Sequence, residues 1–469
     1  MLDKLKNIII NGSEFLPIFE GGKGIGLTTG LTAGSFAKCG AIGTFSGVNT
    51  DIVDDNGEIV PFILKAKNRL ERHIESMEHT IKGMISQAKR ARDISSGKGR
   101  IHTNVLWEMG GTEYILNEFL SKAKDLVQGV VCGAGMPYKL GEIAAKYNIN
   151  YFPIISSMRT FRALWKRSFN KTKEWLGGII YECPWRAGGH NGLTNAENPF
   201  EPQDQYPRVV ELRKFMNEVG LNETPIIVAG GIWNLKENER YLENPEIGNV
   251  AFQFGTRPLL TKESPISEHF KYELLHLKEN DIITNNFSPT GFYSSAIKNE
   301  FLNSLIDRDS RQVDFSFEKN NEFDHKVQDA KINKSFYVRN SDLVSINKWR
   351  SNGFSRIVQT PSDTILFVSD IELAEIKEDI KNCCGCLSQC KFSTWSQYEV
   401  NNNYTTGRLP DYRCFCIQKA LQAAKSGTNP KQELHFAGSM AYRFSTDPMY
   451  KNGFIPTIRE LVEALIDGK

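Results

Sequence analysis

The chain has 469 residues, 40% of them hydrophobic, and its 57 Lys and Arg nearly balance 55 Asp and Glu, for a net charge of +2. That length implies one large domain with additions, or about two to three modules. The even charge argues against long-range attraction to nucleic acid or an anionic membrane, and no run approaches the ~20 apolar residues of a bilayer span, so the expected location is the cytoplasm.

The first 260 residues alternate between two patterns. Short apolar or β-branched runs fall at 17–20, 41–46, 101–106, 129–132, 151–155, 178–182, 225–228 and 249–254. Each reads as a buried parallel strand, because a strand covered on both faces is apolar throughout and does not alternate. Helical patterns separate them at 31–39, 63–91, 113–126, 139–147, 158–168, 208–219 and 235–242, and another follows at 267–278. Eight strand–helix repeats predict a closed (β/α)₈ TIM barrel over residues 1–278. An open doubly wound sheet is disfavoured, since the first strand lacks a dinucleotide fingerprint.

Beyond the barrel, residues 279–306 hold FSPTGFYSSAI, rich in turn formers and aromatics, and are expected to cover the barrel mouth. Residues 307–334 are charged and Asn-rich, which reads as a linker or solvated insertion, and strand and helix patterns after Ser335 suggest a small lobe within 307–380. Residues 381–469 form a Cys-rich extension ending in an amphipathic helix at 457–466.

Active sites of such barrels lie at the C-terminal ends of the strands. The strand exits here read Glu20-Gly21-Gly22-Lys23-Gly24, Cys132-Gly133-Ala134-Gly135, Ser156-Ser157, Arg186 to Gly192, Ala229-Gly230-Gly231 and Gln253-Phe254-Gly255-Thr256-Arg257. Glycine lets a backbone approach a flat, phosphorylated ligand and aim N–H groups at its oxygens. Glycine turns after strands seven and eight sit where barrels place a phosphate, with the Thr256 hydroxyl as a further donor. His190, in a glycine loop on this rim, is the candidate general base. His73, His79, His269 and His276 fall on helix patterns and read as surface or structural.

PIFEGGKGIG, IHTNVL, CGAGMP, PIISS, RAGGHNG, PIIVAGGI and AFQFGTRPLLTKES occur in the order of the nitronate monooxygenases, formerly 2-nitropropane dioxygenases. SPTGF and the tail CLSQC, CFCI and FAGSMAYR resemble bacterial members with a cysteine-bearing extension. The resemblance implies non-covalent FMN. By matching motifs, Gly22 and Lys23 contact the flavin ring, Asn104 hydrogen-bonds it, and Gly188 and Gly189 line its face. Gly230 and Gly231, with Gln253, Phe254, Gly255 and Thr256, hold the phosphate. His190 falls at the family's catalytic base, which takes the α-proton of a nitroalkane or stays near a bound nitronate, and the implied products are a carbonyl compound and nitrite from O₂.

Three positions depart from the family pattern. Lys23 stands where many members carry methionine, and a cation there favours the anionic reduced flavin. Cys183-Pro184-Trp185-Arg186 replaces an acidic–Gly–x–acidic stretch, and Trp185 is expected to narrow the pocket. Ser295 falls where relatives often carry arginine.

Six of the nine cysteines crowd residues 383–416. Cys383, Cys386, Cys390 and Cys416 are candidate ligands of zinc or an iron–sulfur cluster, against the alternative of free thiols with a redox-sensitive pair. An NAD(P)H-dependent reductase of the enoyl-acyl carrier protein or quinone type is the alternative activity on the same barrel, and a flavin-bearing sensor module is a third reading. A homodimer is the default assembly.

Overall fold

The computed structural model describes residues 5–194, 196–399, 401 and 403–469. Eight parallel strands close into a barrel: β1 (Ile18–Glu20), β2 (Ile42–Ser46), β3 (Arg100–Leu106), β4 (Gly129–Gly133), β5 (Asn150–Ile155), β6 (Ile179–Glu182), β7 (Ile226–Ala229) and β8 (Val250–Phe254). The ring closes where β8 meets β1, pairing Phe252 with Ile18 and Phe254 with Glu20. These are the expected strands, and the helices between them make the (β/α)₈ TIM barrel.

The two faces of each strand have different jobs. Phe19, Ile42, Val131, Phe152, Ile180, Ile227 and Ala251 fill the lumen, while Ile18, Phe45, Ile101, Ile179, Val228 and Phe252 pack with the surrounding helices. A hairpin, Ile8–Ile10 with Ser13–Phe15, turns at Asn11-Gly12, both at positive φ, and adds Ile8 and Ile10 to the lumen core.

Two helical expectations shift. The long helix begins at Arg69, not at residue 63, because the Asn68 side chain accepts from Glu71 N–H and caps it. After β7 the chain makes only a 3₁₀ segment, Lys236–Tyr241, with Asn234 Oδ1 taking the Glu237 N–H at 2.9 Å.

Residues 282–297 form a hairpin, Ile282–Asn285 with Ser294–Ile297, whose second strand pairs with Gly189–His190. The charged stretch read as a linker is built into a lobe. It supplies the strands Gln312–Asp314 and His325–Gln328, which join Ser335–Val338, Arg356–Gln359 and Thr364–Val368 around Val327, Phe336, Ile346, Ile357 and Phe367. Asp329 explains how so polar a sequence is ordered. Its carboxylate accepts from the N–H groups of Lys331, Ile332 and Ile357 and pairs with Arg356.

The last 90 residues run back over the barrel. The helix Ile458–Ile466 buries Ile458, Leu461, Val462 and Leu465 in the main core. Among the described residues no helix is long and apolar enough to cross a membrane.

Candidate active site

The C-terminal ends of the strands open into a cavity of about 880 Å³, in the range of small-molecule sites. Gly22, Lys23, Asn104, Gly188, Gly189, His190, Gly230, Gly231, Gln253, Gly255 and Thr256 all line it. Phe254 does not. Its ring is 1% exposed in the core, and it reaches the rim only through its carbonyl, which accepts from Gly21 N–H at 2.8 Å. The residue alternates to the outer face of β8 while Gln253 faces the cavity, so only one of the neighbours can line it.

Backbone shape makes one end of this cavity. Gly230 and Gly231 have φ of +81° and +78°, a conformation that L side chains rarely adopt, and they leave N–H groups unencumbered by Cβ atoms. A Cβ on Gly255 would meet nothing within 4 Å, so this turn borders open space. At the other end, a Cβ on Gly22 would lie 2.3 Å from Asn104 Cβ, which fixes glycine there. Asn104 is 3% exposed and its Oδ1 has no partner among the described residues. A buried amide oxygen without a donor is costly unless a ligand supplies one. A flavin with its phosphate at the glycine turns and its ring N–H groups toward Asn104 fits this set.

The titratable groups on the rim are displaced mainly by burial. His190 is pushed down to about 4, so its imidazole is neutral at pH 7. Its Nε2 lies 2.6 Å from Ser288 Oγ, which also bonds Thr290 Oγ1 at 2.9 Å, and its ring meets Phe436 edge-on. Glu182, the last residue of β6, lines the cavity with no hydrogen-bond partner among the described residues, and burial pushes its carboxyl up to about 7. Lys23 donates from Nζ to Gly21 O at 2.9 Å, and burial lowers its affinity for a proton against the attraction of Glu20. Burial raises the Glu20 carboxyl, with Oε2 accepting from Thr44 N–H at 3.0 Å.

Trp185 does not narrow the cavity. Its indole turns into the core, donates to Asn198 O at 2.8 Å and carries Arg208 on its face. Ser295 bonds Asn191 Nδ2 at 3.3 Å and Thr284 Oγ1 at 3.2 Å, behind the rim. Of the four candidate metal ligands, only Cys386 lines the cavity. Cys383 Sγ is 3.1 Å from Ser393 Oγ, and Cys416 precedes a helix, Ile417–Ser426. All nine thiols are free, and among the described residues no group of three or more His, Cys, Asp or Glu is placed to hold a metal ion.

Several lining residues were not singled out by sequence. Glu182 ends β6, and its position at a strand exit is the sequence signal that marks it. Arg186, beside Gly231, falls in the same loop as His190. Phe436, Ala437 and Gly438 belong to FAGSMAYR, a motif of the resemblance with no assigned role, and Tyr293 directly follows SPTGF. Gly438 N–H donates to Thr256 Oγ1 at 2.9 Å and Ser439 N–H to Arg186 O at 3.2 Å, which ties the tail to two rim loops.

The nitronate monooxygenase family model matches residues 13–466. No curated protein matches the chain. Among solved structures, the enoyl reductase domain of MlnA from Bacillus amyloliquefaciens is 11% identical with a TM-score of 0.54, and covers 97% of this chain and 93% of its own. FabK from Thermotoga maritima is 12% identical with a TM-score of 0.51, and covers 96% and 92%. Nitroalkane oxidase from Streptomyces ansochromogenes is 16% identical with a TM-score of 0.45, and covers 61% and 78%. The first two support the fold through the tail as well as the barrel. With a family match along nearly its whole length and a cavity whose glycine turns and orphaned amide suit a flavin, the chain belongs to the nitronate monooxygenase family of flavin oxidoreductases, and its cofactor is FMN.

Proposed function

We propose that the protein oxidises alkyl nitronates, and the nitroalkanes that give rise to them, with O₂ to a carbonyl compound and nitrite. The observation that carries this reading is His190, neutral at pH 7, in the flavin cavity and hydrogen-bonded to Ser288 at 2.6 Å. A neutral imidazole accepts the α-proton, and the serine hydroxyl fixes the ring for it. Gly22, Lys23 and Asn104 would hold the flavin ring. Gly230, Gly231, Gln253, Gly255 and Thr256 would hold its phosphate, with the aliphatic stem of Arg186 packed beside Gly231. Gly188 and Gly189 would border the ring with no side chain in the way. The flavin, when bound, supplies the electron transfer to O₂, while the protein supplies position and electrostatics. The hairpin at 282–297 and Phe436 close the cavity over His190, which limits water at the proton-transfer step.

The test is steady-state turnover of FMN-loaded protein on propyl-2-nitronate, with nitrite and hydrogen peroxide followed. Nitrite release that falls in His190→Asn supports the reading, and no nitrite at any pH removes it. The structural relatives include an enoyl reductase domain, so an NAD(P)H-dependent reductase is the second reading. Anaerobic mixing separates the two, since NADH bleaches the flavin only under the second.

A further inference from the structure

Cys386 belongs to the cavity wall and Cys384 lies two positions before it, yet nitronate oxidation gives them nothing to do. Cys386 lines the cavity, and Cys384 is buried just behind it, on the other side of Gly385, which has a φ of +67°. The loop is anchored to the rim where β3 ends. Cys386 O accepts from Gly110 N–H at 3.1 Å, Leu387 bridges to Met109, and Ser388 bonds Glu108 through its N–H at 2.7 Å and its Oγ at 2.8 Å. Arg72 Nε donates to Cys383 O at 3.0 Å from the far side.

Barrel order then decides which part of the flavin this wall faces. The glycine turns that make the phosphate end follow β7 and β8. β3, which carries Asn104, stands across the barrel from them. The thiol pair is therefore at the ring end of the cavity. A dithiol and a flavin both exchange electrons in pairs, so a thiol pair in that position has a partner of matching chemistry.

We propose that Cys384 and Cys386 are a redox-active dithiol that exchanges an electron pair with the flavin. Two S–H bonds break and one S–S bond forms. The oxidised flavin takes up two electrons and one proton, and the second proton leaves to solvent. The site thus gives the enzyme a second electron source, a dithiol, alongside the nitronate. This inference rests on FMN occupying the cavity.

Anaerobic dithionite titration of the FMN-loaded protein tests it. The unaltered protein takes up about four electrons per flavin, Cys384→Ser and Cys386→Ser each about two, and Cys383→Ser about four. In denatured protein the oxidised form has two fewer titratable thiols, and a peptide map shows Cys384 linked to Cys386. A yellow protein that takes up only about two electrons overturns this proposal alone, while a protein that binds no flavin overturns the FMN reading with it. Uptake of about four electrons by both pair variants, or iron and sulfide bound to the segment, also overturns it. If a serine variant loses its flavin, the peptide map of the unaltered protein decides: the link supports the dithiol, and its absence from oxidised protein overturns it.

Discussion

The cavity has two walls made in different ways. The barrel rim is continuous with eight hydrogen-bonded strands, so its glycine turns and His190 loop inherit the geometry of the sheet. The covering wall, from residue 383 to the C-terminus, has little regular structure where it meets the rim and is pinned by separate polar contacts. Gly438 reaches Thr256, Ser388 reaches Glu108, and Trp233 Nε1 donates to Asp447 Oδ2 at 2.6 Å. The contrast teaches that the rim is specified by repeat and the cover by pairing. Damage to the rim should therefore act on chemistry and flavin binding, and damage to the cover should act on stability first.

The largest effect expected on the rim is at His190. His190→Asn keeps a polar side chain next to Ser288 but removes the base. A fall in kcat/KM of about 10²–10⁴-fold on a nitroalkane is expected, with melting temperature little changed. The same variant on preformed nitronate should lose less, because the α-proton is already gone. Equal losses on both substrates would move His190 from proton transfer to substrate positioning.

Between the two walls the most consequential residue is Arg257, which is 1% exposed. Its guanidinium donates to Trp233 O at 2.7 Å and Lys469 O at 3.0 Å, and pairs with Asp447 at 3.4 Å. It thereby joins the β7 and β8 exits to the end of the chain. Arg257→Ala leaves buried acceptors unpaired and should cost about 3–5 kcal/mol in chemical denaturation. The flavin should dissociate before the barrel unfolds. A single transition at the original midpoint would mean that the two walls are not coupled here.

The same division sets what could be read from the chain. Strands such as 151–155 and 249–254 were legible because burial on both faces leaves an unbroken apolar run. His190 was legible because its glycine loop follows such a strand. Ser288, its partner, is 98 residues away in sequence, and no periodicity links them. Trp185 misled for a related reason. Spacing located it in the His190 loop, but only the tertiary acceptor Asn198 O decides that its indole faces the core. The 307–334 segment was misread because composition counts charges without seeing that Asp329 and Arg356 neutralise each other across the lobe.

A smaller effect sharpens the view that rim backbone holds the flavin. In Gly22→Ala the new Cβ lies 2.3 Å from Asn104 Cβ, so the amide must swing from its place. Overpacking of this kind costs about 1–3 kcal/mol, which corresponds to roughly a 5–150-fold rise in the Kd for FMN, read by fluorescence quenching. Gly12→Ala, on the hairpin at the opposite end of the barrel, meets nothing within 4 Å and should leave that Kd unchanged, although its φ of +75° taxes stability.

The smallest effect concerns Glu182, where rim geometry leaves a carboxyl without a partner. Burial raises its folded pKa from the ordinary 4.5 to about 7, so between those limits the folded protein holds a proton that the unfolded chain has lost. Stability therefore falls as pH rises through this window, and the full penalty is present above it. His190 acts in the opposite sense. Its depressed value means that the unfolded chain binds the extra proton between about 4 and 6.5, so stability rises with pH there. Glu182→Gln removes only the first contribution. Flavin-free protein carrying it should match the unaltered protein near pH 4 and exceed it by on the order of 2 kcal/mol at pH 8, with partial solvent access keeping the gain below the full shift. Urea midpoints at the two pH values measure this difference. A gain that is the same at both would show that the glutamine acts through packing, and that the carboxyl is already ionised in the folded cavity.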